Sequence, residues 1–141
     1  MAENTISKDN FPQWAWEFAQ NAKNKLKNST EFKSYRTLVK GCSALISSNG
    51  LISTLAYLTS RTSSDNEGPA QTLAKQLAEI VLKDLKIDQQ EYKADEAIKE
   101  LIECESWKYM AVTTKVMSHL QWLRQFVDVL KEDKASYEQG R

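Results

Sequence analysis

Residues 35–61 read YRTLVKGCSALISSNGLISTLAYLTSR, and the Asn49-Gly50 pair near their middle decides the fold. Before the pair, Tyr35, Leu38/Val39, Cys42 and Leu45/Ile46 recur every three or four residues. After it, Leu51, Leu55 and Leu58 do the same. That spacing lines one face of a helix and does not alternate as a strand would. Glycine takes the left-handed conformation that closes a helix end. The stretch therefore reads as two helices joined by a tight corner. The first is expected over 31–48, with Ser29 or Thr30 as its cap. The second is expected over 51–61.

The same periodicity extends in both directions. A first helix is expected over 12–26, capped by Asp9 or Asn10 and started by Pro12, whose missing N–H is no loss in a first turn. Its stripe is Trp14, Phe18, Ala22 and Leu26, with Trp16 off the stripe. Lys23, Lys25 and Lys27 fall near its end, where cations offset the helix dipole. Residues 62–69, TSSDNEGP, form a loop of turn-favouring types. Pro69 starts a fourth helix over 69–85, with Leu73, Leu77 and Ile80/Val81 facing inward. Residues 88–95 are polar and weakly patterned. A short fifth helix over 94–103 holds Ile98, Leu101 and Ile102. In the last helix, capped by Ser106, residues Tyr109, Thr113, Val116, Leu120, Leu123, Val127 and Leu130 step by four and three over about 25 residues, a heptad-like seam. Packing within its own domain is the expected use of that seam, ahead of a coiled-coil dimer.

The chain has 141 residues, 41% hydrophobic and 27% charged, with only 4 Gly and 2 Pro. Those values fit one folded helical domain. We expect an all-α fold, a compact bundle of five or six helices with a long C-terminal helix. The domain is expected to span 1–141, with flexible ends at 1–10 and 132–141. The opening residues lack the basic start and apolar middle of a secretory signal, and no apolar run reaches membrane-spanning length. A cytoplasmic location is the expectation, with Cys42 and Cys104 as reduced, partly buried thiols. Net charge is zero but uneven. Residues 1–62 hold eight Lys or Arg and four Asp or Glu, whereas 63–141 hold eleven and fifteen. A basic half of this kind suits a polyanion, and it also suits plain solvation.

Reactive constellations are not evident. His119, the single histidine, has no Cys or carboxylate at ligand spacing and reads as a satisfied structural residue. Glu96, Glu100 and Glu103 share a helix face but lack the Glu-x-x-His pattern of helical di-iron sites. The glycines fit neither a phosphate loop nor a dinucleotide fingerprint. The expectation is a protein that is not an enzyme and that has no cofactor, no metal and no small-molecule substrate.

Several segments resemble a known family. Tyr35-Arg36, Leu38-Val39-Lys40, Ala44-Leu45-Ile46, Asn49-Gly50-Leu51 and Thr54-Leu55-Ala56-Tyr57-Leu58 are similar in order and spacing to the small helical subunits of type III-B CRISPR effector complexes, the Cmr module. Tyr109, Thr113, Leu120, Trp122-Leu123-Arg124 and Phe126 continue the match. It departs at Cys42-Ser43, where the family often has Pro, at Ser47-Ser48, where a basic residue is common, and at Arg124-Gln125, where a basic pair is reduced to one. The resemblance implies a non-catalytic subunit in antiviral defence. Copies of it would stack in a short filament beside other effector subunits, along the guide RNA–target RNA duplex, while other subunits cleave.

Candidate RNA-binding residues follow from their placement off the apolar stripes: Arg36, Lys40 and Arg61 around the corner, Lys33 beside them, and Lys115 and Arg124 on the long helix. Contacts of such side chains with phosphates would be neutral to sequence, as a guide-directed complex requires. The alternative is a protein-only helical adaptor or scaffold without nucleic-acid contact. A helix-turn-helix DNA reader fits less well, because 51–58 is too apolar to enter a groove.

Overall fold

Phe11-Pro12 opens the first of six helices in the computed structural model, which describes residues 11–61 and 68–131. The helices are α1 (Phe11–Lys25), α2 (Ser29–Asn49), α3 (Leu51–Ser60), α4 (Pro69–Asp84), α5 (Ala94–Glu103) and α6 (Ser106–Val129). The described residues hold no strand. The all-α expectation is met, with the long last helix in place. Expected caps for α1 and the expected flexible ends lie outside the described residues. α2 is capped by Asn28, not by Ser29 or Thr30: the Thr30 N–H donates to Asn28 Oδ1 at 2.8 Å. Ser106 is the first residue of α6, and Glu105 stands at the cap without a side-chain bond.

α4 is the axis of the bundle. Ten of its residues are buried, including Ala70, Ala74 and Ala78. These small side chains let neighbouring helices approach from several sides, so α4 packs against α1, α2, α3, α5 and α6. α6 buries Val112, Val116, Leu120, Leu123 and Val127 against α1, α2 and α4. α1 presents Phe11, Ala15, Phe18, Ala19 and Ala22 to the core, while Trp14 is only partly buried. Trp16, off the expected stripe, meets Phe126 of α6 edge-on at 5.3 Å.

Two polar devices hold this apolar core in register. The Tyr35 hydroxyl donates to Gln76 Oε1, and Gln76 Nε2 donates to the Phe18 carbonyl at 2.9 Å. This chain ties α2, α4 and α1, and each buried donor or acceptor in it finds a partner, as burial demands. At the corner, Gly50 has φ 92°, and its N–H donates to the Ile46 carbonyl at 2.8 Å. The Tyr109 hydroxyl accepts from the Leu51 N–H at 2.9 Å and the Ile52 N–H at 3.4 Å. It thereby satisfies donors that the start of α3 would leave unbonded. A second stop closes α4: Lys86, at φ 66°, follows the helix, and the Ile87 N–H reaches back to the Leu82 carbonyl at 2.8 Å. This is a Schellman turn built on a lysine in place of the usual glycine.

His119 is fully buried, with Phe18 and Phe11 rings at 4.8 and 6.5 Å. Its two ring nitrogens have no hydrogen-bond partner among the described residues. The sequence pattern identified it correctly as a structural residue but wrongly as a satisfied one. Burial pushes its pKa down to about 3, so it stays neutral in the fold. Cys42 is buried and free, and its thiol is pushed up to about 12. Cys104 is half-buried and also free.

The two glycines of α2 and its corner should respond oppositely to a methyl group. A Cβ at Gly50 would sit 3.1 Å from Tyr109 Oη at a backbone angle unsuited to L residues, so Gly50→Ala should destabilise by about 1–3 kcal/mol. Gly41 lies within α2 with nothing within 4 Å of an added Cβ, so Gly41→Ala should stabilise by about 0.5–1 kcal/mol. Paired thermal melts test the contrast, and equal shifts would contradict it. His119 titrates near 6.5 when unfolded but near 3 when folded. The unfolded chain thus binds the extra proton, and stability falls as pH drops from 6.5 toward 3. Between pH 7 and 5, His119→Phe should remove about 1–2 kcal/mol of the native protein's acid sensitivity in urea titrations.

Candidate nucleic-acid interface

The six candidate cations fall into three places. Lys33, on the exposed side of α2, and Arg61, just past α3, line one open cleft of about 510 Å³. The start of α4, at Gly68 and Pro69, forms its floor, and Glu31 and Thr37 also reach it. Arg61 lies over the Tyr57 ring, 5.5 Å from its centroid. Gly68 stands at the cap of α4 without a side-chain bond, so the positive end of that helix dipole points into the same region. The corner at Gly50 makes this juxtaposition possible, because it sends α3 back so that its C-terminus returns beside the N-terminal half of α2.

Arg36 and Lys40, one turn apart on α2, converge on Asp128 of α6. Arg36 Nη2 lies 3.1 Å and Lys40 Nζ 2.8 Å from the same carboxylate oxygen. Burial alone would raise the Asp128 pKa, but the hydrogen bonds and charges of Lys40 and Arg36 outweigh it and hold the carboxyl below the usual range. The Arg36 side chain is only 14% exposed and the Lys40 side chain 41%. Arg36 Nε is buried without a hydrogen-bond partner among the described residues. Arg36 therefore ties α2 to α6, whereas Lys40 keeps an open side. Arg124 is exposed one turn before Asp128 on α6, so the two are surface neighbours.

Lys115 stands apart. Its Nζ lies 2.6 Å from Asp84 Oδ1, whose side chain is 9% exposed. The pair fastens α6 to the end of α4, and the charge of Lys115 balances a nearly buried carboxylate. The structure thus gathers Lys33 with Arg61, and Arg36 and Lys40 with Arg124, but leaves Lys115 on its own.

Other cations have structural tasks that the sequence pattern hid. Lys23 Nζ donates to the Leu130 carbonyl at 2.6 Å and lies 5.4 Å from the Phe32 ring centroid. It closes the end of α6 from α1, not only its own helix dipole. Lys83 sits 4.6 Å from the Trp14 ring centroid and 5.5 Å from that of Tyr92, with Glu79 at 3.0 Å. Only the Glu79–Lys83 spacing was visible in the sequence. No group of three metal-ligating side chains occurs among the described residues, and none of their helices is long and apolar enough to cross a membrane.

Such an arrangement defines a class: an all-helical bundle with cations scattered over its helix faces and, among the described residues, no metal-ligating cluster. The family model for CRISPR-associated Cas_Cmr5 proteins matches residues 9–130. The chain belongs to that family, the small helical subunits of type III-B effector complexes of the Cmr module. A CRISPR-associated Cmr5 family protein from Thermus thermophilus, known from a crystal structure, has the same fold: TM-score 0.65 and 24% identity, covering 88% of this chain and 96% of that one. Comparison with curated proteins gives no match.

Asp128→Asn releases two cations and removes one negative charge from this face. The pair is partly exposed, so the expected loss of stability is under about 1 kcal/mol. Chemical denaturation checks it, and a loss of several kcal/mol would mean that the Arg36 bridge dominates α2–α6 packing.

Proposed function

We propose that the chain is a non-catalytic structural subunit of an RNA-guided effector complex in the cytoplasm. Copies stack in a short filament along the guide–target duplex, beside other effector subunits, and hold target RNA by contacts to its backbone. The observation that carries the RNA-facing part is the pairing of Lys33 and Arg61 across the cleft at the start of α4. One cation from α2 and one just past α3, with a helix N-terminus beside them, suit a phosphate and read no base. Lys40 and Arg124 extend the same character along α2 and α6. Arg36 and Lys115 contribute through the shape of the fold, because their charges are already engaged. Family membership supports the placement in a Cmr-type complex.

This reading predicts weak binding of isolated protein to RNA, steep in salt and indifferent to sequence. Lys33→Glu with Arg61→Glu should weaken duplex binding several-fold and flatten the log–log salt slope by about 0.9 for each phosphate no longer neutralised. Anisotropy titrations on two unrelated duplexes measure both. Tight, sequence-selective binding at high salt would sink the proposal, as would an unchanged slope in the double variant. Tagged protein recovered from its host should bring effector subunits and guide RNA. Recovery of unrelated proteins without RNA would favour the adaptor reading.

A further inference from the structure

The solvent side of α6 is patterned as a second seam. At 3.6 residues per turn, Trp107, Ala111, Thr114, Ser118, Gln125 and Val129 follow one line along the helix, opposite Val116, Leu120 and Leu123. Trp122 and Met110 flank that line. None of these residues is charged, in a chain whose residues are 27% charged. A solvated face of some 35 Å would normally carry several charges. Trp107 is 65% exposed, Met110 67%, Trp122 39% and Val129 60%. The Thr114 hydroxyl donates to the Met110 carbonyl of its own helix at 3.0 Å, and the Trp107 ring N–H donates to the exposed Glu105 carboxylate at the helix cap. At the margins Lys115 is held on Asp84 and Asp128 on Arg36 and Lys40, while Lys108 lies over the Trp107 ring, 5.3 Å from its centroid.

We infer that this face is the seam of a two-fold dimer, in which α6 packs antiparallel against α6 of a second copy of this chain. The register is set by side-chain size. With Ser118 on the axis, Trp107 meets Val129, Ala111 meets Gln125, and Thr114 meets Trp122. Each large side chain lies against a smaller one, as knobs fill holes in paired helices. A parallel pairing sets Trp107 on Trp107 and leaves gaps at Thr114. Antiparallel helices also oppose their dipoles favourably. Charge agrees with the pairing. The seam itself brings no like charges together. The two tryptophans alone leave roughly 250 Å² exposed on each copy. With the rest of the seam, the doubled area reaches about the 1,000 Å² that a specific interface needs. A two-fold contact closes on itself, so it is distinct from head-to-tail stacking along RNA and stands or falls separately from it.

Sedimentation velocity of the full chain without RNA, over a submillimolar dilution series, tests the inference. The expected result is a species of two chain masses that dissociates on dilution. Thr114→Arg sets a cation against Trp122 of the second copy and should weaken the dimer at least tenfold. Thr114 is exposed and its hydroxyl serves only its own helix, so the melting temperature measured at a dilution where both proteins are monomeric should hold. Thr37→Arg, exposed on α2, should leave the dimer intact. A monomer at every concentration would overturn the inference and assign the seam to a helix of another protein. A dimer indifferent to Thr114→Arg, or growth into open-ended oligomers, would overturn it equally.

Discussion

The Tyr109 hydroxyl is the point on which the arrangement of the helices depends. It accepts from two backbone N–H groups at the start of α3 and stands against the bare Cα of Gly50. One side chain of α6 thus caps a helix 58 residues earlier in the chain and fills the space that any Cβ at Gly50 would need. Without it, the glycine could still turn the chain and Leu51, Leu55 and Leu58 could still pack, but two N–H groups at the start of α3 would lose their partner. With it, α3 leaves the corner at one angle, packs on α4 and α5, and delivers Arg61 beside Lys33. The geometry of the proposed phosphate-facing cleft is therefore inherited from a neutral hydrogen bond on the far side of the corner.

Charge placement follows a division of labour along the same helices. Where a cation approaches a carboxylate that burial has partly stripped of water, as Lys115 does at Asp84, the pair serves cohesion. Where a carboxylate is shared between two cations, as Asp128 is between Arg36 and Lys40, a positive excess survives at the surface. Where a cation meets an aromatic face, as Arg61 does at Tyr57, it is oriented without being neutralised. Only the last two arrangements leave positive charge to offer a polyanion. The uneven charge of the two halves is thus a weaker guide to RNA contact than the partner that each cation has.

Helix boundaries were legible in the sequence because their causes are local. Pro12, Asn49-Gly50 and Pro69 punctuate the chain within a few bonds of where the helices change, and the α5 limits match because 94–103 is a short run between polar turns. The burial of α4 on several sides was not legible. Ala70, Ala74 and Ala78 carry too little surface to register as a stripe, yet their smallness is what admits five neighbours. The Asp128 partner of Arg36 was also hidden, since it lies 92 residues away. The i,i+4 relation of Arg36 and Lys40 was visible, but its consequence, two cations on one carboxylate, needed the tertiary structure. For His119 the isolation was visible and the absence of a hydrogen-bond partner was not, because side-chain satisfaction is decided by helices that meet only in the fold.

α6 explains why one periodicity can conceal another. The heptad-like run from Tyr109 to Leu130 accounts for most of the buried residues on its inner side, Val112 being the aliphatic exception, so the outer side reads as what remains. Yet that remainder has its own order: Trp107 at one end and Val129 at the other, small residues between Trp107 and the flanking Trp122, and Gln125 where a lysine could stand. Solvation alone gives no reason for such a composition, since a helix facing only water gains by carrying charge. A face whose central line carries apolar and neutral side chains, with its charges kept to the margins, is shaped for contact with another surface. The inner seam holds the monomer together, and the outer seam extends the same packing logic beyond it.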